Sequence, residues 1–456
     1  MDSLVSSPYW PFVVLISSII VVVSLISHYK FHPFIALMLA AIFVGLISDE
    51  LPSLENFSRI VRAVEVPMIE FGIVAGKISW VIALAAIIGA AMMESGAAER
   101  IVNSLLSFLG EKRAPLALLI SGFILSIPVF FDTVFFLLIP LAITMALKTG
   151  KNYILYVIAI AGGAVITHTL VPPTPGPLIM SETFQIELGV TILTGILMGI
   201  IPATVILYLA KRMNEKFNIP VRIRTSHALE SKPSPGLLMC VLPIVSPIIL
   251  ISSASIVQAL YGTLPAWLAF WGNKNIAMGL GTAIALLLWA KTLNLSSSEL
   301  WKRIVKPLEI AGIIILITSG GGAYGAMIKH SGIGEAIKIT TANFQVHYLF
   351  LAWIIAAVMK TAQGSGTVAM ITTSSIMVAL IGTSIDLPYH PIYVLMAIGF
   401  GSCFISWMND SGFWVVAKMS GLTEKETLQT WTLILASFAV VGLILVLIVS
   451  TILPFR

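Results

Sequence analysis

Apolar residues run in long blocks along nearly the whole chain, broken by short polar or charged turns, at 10–27, 34–47, 78–93, 153–166, 190–210, 236–253, 276–290, 310–324, 348–359, 393–404 and 430–452. Crossing the ~30 Å hydrocarbon core takes about 20 helical residues, so most blocks predict spanning helices, although several are short for the task. They exceed the ~9–11 residues of a barrel strand, which favours helices over a β-barrel. A further stretch, 114–147, is apolar but interrupted by Pro128, Asp132 and Pro140. That pattern predicts a hairpin or a helix broken within the bilayer. Backbone freed by such a break survives only where protein buries it or a wet cavity hydrates it. The expected fold is an all-α polytopic membrane protein with broken helices or re-entrant hairpins, in roughly 12–14 membrane segments.

Composition sharpens this reading. Only 10% of the 456 residues are charged, against about 25% in an average soluble domain, and the mean hydropathy is +1.01. A soluble enzyme and a single-pass receptor are both excluded. The block at 10–27 follows no basic segment and lacks a small-residue cleavage site, so it is expected to remain as the first spanning helix. The net charge of +5 is spread over short loops, so it speaks to membrane orientation and not to nucleic acid. Cys240 and Cys403 both lie in apolar runs without partners at metal-ligand spacing, so no disulfide framework, metal site or cofactor is expected.

The most basic linker, 211–235, holds Lys211, Arg212, Lys216, Arg222, Arg224 and Lys232 against Glu215 and Glu230, which predicts a cytoplasmic position. The Lys148/Lys151 turn and the 291–306 loop then fall on the same side. The 51–70 segment, the turn at Asp386 and both termini fall outside.

Internal repetition is the strongest organisational signal. The run Gly89-Ala-Ala-Met-Met-Glu-Ser-Gly-Ala-Ala-Glu99 is echoed by Gly325-Ala-Met-Ile-Lys-His-Ser-Gly-Ile-Gly-Glu335, an offset of 236 from Ser95 to Ser331. Gly176 lines up with Gly412 at the same offset, and Thr133-Val134 with Thr367-Val368 at 234. The basic Lys148/Lys151 turn corresponds to the cation-free Asp386 turn, so the two copies are expected in opposite orientation, as in secondary transporters. The expected organisation is N-terminal helices in 1–50, a first repeat in 51–210, the linker 211–235, connecting helices in 236–293 and a second repeat in 294–456.

Four segments bring polar or conformationally special residues to membrane depth. In Ile127-Pro-Val-Phe-Phe-Asp-Thr133, an ionised Asp132 is costly in hydrocarbon unless paired or wet, which marks a functional candidate; the alternative is a helix cap. In Lys360-Thr-Ala-Gln-Gly-Ser-Gly-Thr367, two glycines let backbone approach a ligand, while Lys360, Ser365 and Thr367 surround a helix start suited to an anion. An ordinary turn with a snorkelling lysine is the alternative. In 167–177, Pro172, Pro173, Pro175 and Pro177 force the chain to unwind beside His168, which suits proton coupling or an interhelical hydrogen bond. The repeat-mate Ser406-Trp-Met-Asn409-Asp410-Ser411-Gly412-Phe413-Trp414 gathers amide, carboxylate and hydroxyl groups, for a ligand or as a cap cluster. Lys77, Lys329 and His330 read as interface snorkellers, and other aromatic stripes as lipid-facing or packing residues. No hydrolase elbow or zinc motif is present. A Ser411/His168 hydrolase has no geometry to support it, and a channel fits mirrored broken helices less well than a carrier does.

At these segments the chain resembles the gluconate permease family, sugar-acid:proton symporters of the ion transporter superfamily. The motifs that carry the resemblance are Phe130-Phe131-Asp132, His168-Thr-Leu-Val-Pro172-Pro-Thr-Pro-Gly-Pro177, Ala362-Gln-Gly-Ser-Gly-Thr-Val-Ala369 and Asn409-Asp-Ser-Gly-Phe-Trp414. The resemblance implies uptake of gluconate, another aldonate, glycerate or D-serine with protons, by elevator-like movement of a transport domain, in a homodimer of the inner membrane. The family pattern has histidine where this chain has Thr174, glutamate at Asp132, arginine at Lys360 and alanine at Gly366. Loss of a titratable donor at Thr174 points to a smaller or different hydroxy acid. Lys360, Gln363, Gly364, Ser365, Thr367 and Ser411 are then expected to hold the substrate carboxylate, and Asn409 and Thr174 its hydroxyls. Asp132, His168 or Asp410 is expected to carry the proton. A sodium-coupled dicarboxylate carrier and an anion channel are the alternatives.

Overall fold

A computed structural model describes residues 9–49, 51–54, 57–217, 219–222, 235–332, 336, 347–381 and 387–455. Most of the 211–235 linker, the end of the 325–335 echo and Asp386 lie outside the described residues. The first half comprises α1 (Trp10–Val23), α2 (Pro33–Ile47), α3 (Arg59–Glu94), α4 (Ala97–Leu109), α5 (Ala114–Leu125), α6 (Phe131–Thr149), α7 (Tyr153–Leu170), α8 (Pro175–Thr183) and α9 (Leu188–Phe217). The second comprises α10 (Leu237–Tyr261), α11 (Ala266–Trp271), α12 (Lys274–Leu293), α13 (Ser297–His330), α14 (Tyr348–Gln363), α15 (Gly366–Ile381), α16 (Ile392–Gly401), α17 (Ser411–Ser420) and α18 (Glu424–Ile452). Among the described residues, eight helices are long and apolar enough to cross a membrane, and five shorter apolar ones accompany them. Helices satisfy every backbone polar group within their own segment, which hydrocarbon demands.

The order of elements repeats at the offset seen in the sequence. Pro175, which opens α8, plus 236 is Ser411, which opens α17, and Leu188, which opens α9, plus 236 is Glu424, which opens α18. The long helices α3 and α13 occupy matching places and pack along each other. They run antiparallel: Arg303 at the start of α13 bonds Glu94 at the end of α3, and His330 at the end of α13 lies 3.1 Å from Glu70.

Around this pair, α2 packs on both long helices and α12 on α3, while α5–α7–α9 and α14–α16–α18 form two matching helix layers. The layers meet where α9 packs on α18 and α7 on α16, and the two halves also exchange contacts as α8 packs on α15 and α17 on α6. Small residues set the spacing: a Cβ on Gly163 of α7 would lie 2.0 Å from the Leu119 carbonyl oxygen of α5, so only glycine permits this approach. All of α7 is buried except His168.

Several sequence expectations need correction. The chain breaks at 126–130 but α6 runs unbroken through Pro140, because one proline in a spanning helix is tolerated where neighbours and hydroxyls compensate. Unwinding in the proline motif is confined to 171–174, with His168 still helical; Pro175 and Pro177 sit in the first turn of α8, where a missing N–H costs no intrahelical bond. The blocks 78–93 and 310–324 are parts of the much longer α3 and α13, whose polar first turns a hydropathy criterion does not count. His330 meets Glu70 and does not simply reach for the interface.

Candidate functional site

Three helices start at one cavity. Phe131 opens α6, Gly366 opens α15 and Ser411 opens α17, and all three residues line a cleft of about 400 Å³. Each helix start presents unpaired amides and the positive end of its dipole, so together they make an environment for an anion. The first helix start exists because Pro128 interrupts the chain before it. The second exists because Gly364 takes φ +83, a left-handed conformation that ends α14.

Gly364 also allows close approach. A Cβ there would sit 2.1 Å from the Asn409 carbonyl oxygen, so the α14–α15 tip abuts the unwound 402–410 segment. Asn409 Nδ2 donates to the carbonyls of Thr361 (2.9 Å) and Ala362 (3.3 Å), and the Trp407 indole donates to Thr361 at 2.9 Å. These bonds satisfy carbonyls that the end of α14 leaves without intrahelical partners. In the first half, Pro128 and Pro173, which correspond to Gly364 and Asn409 by the offset of 236, likewise face a shared small void.

The charged centre is a pair. Lys360 in the last turn of α14 donates to the Gly364 carbonyl at 2.6 Å and lies 2.7 Å from Asp410 Oδ2. The two side chains retain only 5% and 11% exposure. The same Oδ2 accepts from Ser406 Oγ, while Oδ1 caps α17 by accepting from the Gly412 amide at 3.0 Å. Asp132 stands in the first turn of α6, on the cavity wall, and makes no hydrogen bond or ion pair among the described residues. His168 lines the cavity from α7, its Nδ1 buried without a partner among the described residues.

Of the sequence candidates, Asp132, His168, Lys360, Ser365, Thr367, Asp410 and Ser411 come together around this cavity. Thr174, Gln363, Gly364 and Asn409 do not line it. The Thr174 hydroxyl turns back to the Val171 carbonyl at 2.6 Å, and Asn409 spends its amide on α14. The Gln363 amide is buried with neither atom partnered among the described residues. The reading of aromatic residues elsewhere as lipid-facing or packing passed over the apolar wall, where Phe131 stacks on Trp431 with ring centroids 5.6 Å apart. Trp431, 2% exposed, sits in a π-helical turn of α18, a distortion that often marks functional sites but leaves no sequence signature. Cys403, Ser402, Ile310 and Ile314 complete the wall from segments that read as ordinary spans.

This arrangement can bind a small anion: one buried ammonium, three helix N-termini and a few hydroxyls line the cavity together with aromatic and aliphatic side chains. Residues 10–452 match the family described as GntP family permease. A gluconate permease of Pseudomonas aeruginosa is 30% identical over 448 residues, covering 96% of each chain. An uncharacterized permease of Haemophilus influenzae is 32% identical over 92% of this chain and 88% of its own. The Escherichia coli Gnt-II system L-idonate transporter is 27% identical over 97% of this chain and 100% of its own. Two solved structures share the fold at 12–13% identity: the YdaH transporter of Alcanivorax borkumensis (TM-score 0.61, covering 93% of this chain and 99% of that one) and MtrF of Neisseria gonorrhoeae (TM-score 0.64, 93% and 96%). The helices, the buried anion-suited cavity and the match across almost the whole length lead to one conclusion: this chain is a multi-pass membrane protein and belongs to the GntP permease family.

Proposed function

We propose that the chain is a secondary active importer of a small hydroxylated monocarboxylate, gluconate or a related sugar acid, glycerate or D-serine, driven by proton symport. The observation that carries this reading is the Lys360 ammonium buried among three helix starts in one cavity. A monocarboxylate matches a single cation, and hydroxyls of Ser365, Thr367 and Ser411 suit the hydroxyls of a sugar acid. The names of the gluconate and L-idonate relatives point to the same class of cargo.

Charge balance supports proton coupling. Lys360 and Asp410 neutralise each other, so an incoming carboxylate adds an uncompensated negative charge to the buried cavity unless a proton enters with it. Asp132, His168 and Asp410 are the groups available to take it. The antiparallel α3 and α13 and the repeated order of elements fit two halves of opposite orientation, covering 51–210 and 294–456, that alternate access by an elevator-like movement, in a homodimer.

The test is uptake of radiolabelled gluconate, glycerate, D-serine, lactate and succinate into proteoliposomes, under an imposed pH gradient and then a sodium gradient. Accumulation of one hydroxy acid above its equilibrium level under the pH gradient is the expected result. Accumulation that follows sodium alone, or of succinate alone, would replace this reading with a sodium-coupled dicarboxylate carrier. Conductance far above carrier turnover would make it a channel.

A further inference from the structure

We propose that Asp410 carries the coupling proton, and that it does so because it and the substrate carboxylate compete for the Lys360 ammonium; this rests on the symport reading above. Three groups lining the cavity can accept a proton. They differ in what they touch: among the described residues Asp132 makes no hydrogen bond or ion pair, His168 leaves Nδ1 unpartnered, and Asp410 is bound directly to the lysine. The charged or titratable groups that line the cavity with Asp410 are Lys360 of α14, in contact with it, Asp132 of α6, His168 of α7 and the Cys403 thiol just beyond α16.

The pair is nearly dehydrated, so removing one partner leaves an uncompensated buried charge, and such a loss is strongly unfavourable. Substrate therefore cannot take Lys360 from an ionised Asp410 at low cost. Protonation of Asp410 removes that obstacle: an O–H bond forms on the carboxyl, the ammonium is released to the substrate carboxylate, and the site keeps one cation facing one anion. On the cytoplasmic side the same O–H bond breaks, the proton leaves, and Asp410 reclaims Lys360 as the substrate departs. A protonated Asp410 without substrate would strand the lysine charge, so the arrangement also opposes proton leak. Asp410 can titrate without unmaking its helix, because Oδ1 continues to accept from the Gly412 amide in either state.

The test uses purified full-length protein and gluconate and glycerate as probes. In the wild type, affinity should fall by about tenfold per pH unit on the alkaline side of its midpoint, as linkage to one proton requires. Asp410→Asn, which imitates the protonated acid, should lose uphill accumulation under a pH gradient. It should keep substrate exchange at a tenth of wild type or more, with affinity independent of pH. Asp132→Asn and His168→Gln should retain the pH slope whatever they do to the absolute affinity. Ser406→Ala removes a hydrogen bond to the ionised Oδ2 and should move the pH midpoint of affinity upward; it also serves if Asp410→Asn does not fold. Uphill accumulation by Asp410→Asn, loss of exchange in a folded Asp410→Asn, or an unmoved midpoint in Ser406→Ala would each overturn the proposal. A wild type that binds neither probe would instead overturn the symport reading on which it stands.

Discussion

Lys360 and Gly364 lie one helical turn apart, and the structure gives each a task that the other makes possible. Gly364 ends α14 in a left-handed turn, which brings its carbonyl to Lys360 and its Cα against Asn409. Gly364→Ala adds about 1–2 kcal/mol for the left-handed conformation and places a methyl 2.1 Å from the Asn409 oxygen. Its melting temperature in detergent should drop by several degrees, and transport should be lost with it. Lys360→Ala removes the cation that would pair with a substrate carboxylate, a change that costs about 2–5 kcal/mol of binding and corresponds to about thirtyfold or more in substrate affinity. Uptake should vanish while the purified variant still elutes as a folded peak, with a melting temperature lowered by the stranded Asp410; wild-type uptake by this variant would mean that the anion sits elsewhere. These residues were legible in the sequence because a lysine has no cheap place in hydrocarbon and the run Gly364-Ser365-Gly366 interrupts the apolar pattern beside it.

At the scale of elements, apolar blocks located the spans, but breaks were harder to place. Pro128 and the Gly364–Ser365 turn interrupt the chain, whereas Pro140 does not, and all three look alike as punctuation in an apolar run. The difference lies in the neighbours that re-satisfy the freed backbone, which no local window contains. Helix approach is likewise a property of pairs. Gly163 lets α7 pack against α5 with backbone nearly touching backbone, so Gly163→Val should prevent the layer from closing. Expression should fall and the protein should elute as aggregate on size exclusion; a monodisperse variant would show that the layer can part to admit the side chain.

For the whole molecule, the charge pattern sets an orientation that labelling can check. Lys148 and Tyr261 are both well exposed; Lys148 lies in a turn that the basic-residue count assigns to the cytoplasm, and Tyr261 ends α10, which leads away from the linker 211–235 assigned to that same side. In a background lacking Cys240 and Cys403, Lys148→Cys should react with an impermeant maleimide only from the cytoplasmic face and Tyr261→Cys only from the outer face. Reaction of both from one face would dismantle the assigned topology and with it the opposed orientation of the halves.

The sequence by itself determined the membrane environment, the helical class, the offset of 236 between the halves and most of the polar residues at the cavity, because polarity buried in an apolar run is visible one residue at a time. Only the tertiary structure decided that Lys360 meets Asp410, that Asn409 Nδ2 and the Thr174 hydroxyl turn to backbone, and that Trp431 of α18 joins the cavity wall. Those facts depend on which faces of distant helices come together. That choice is made by the packing of small residues and by the mutual satisfaction of broken helix ends, and neither is written in the composition or period of any one segment.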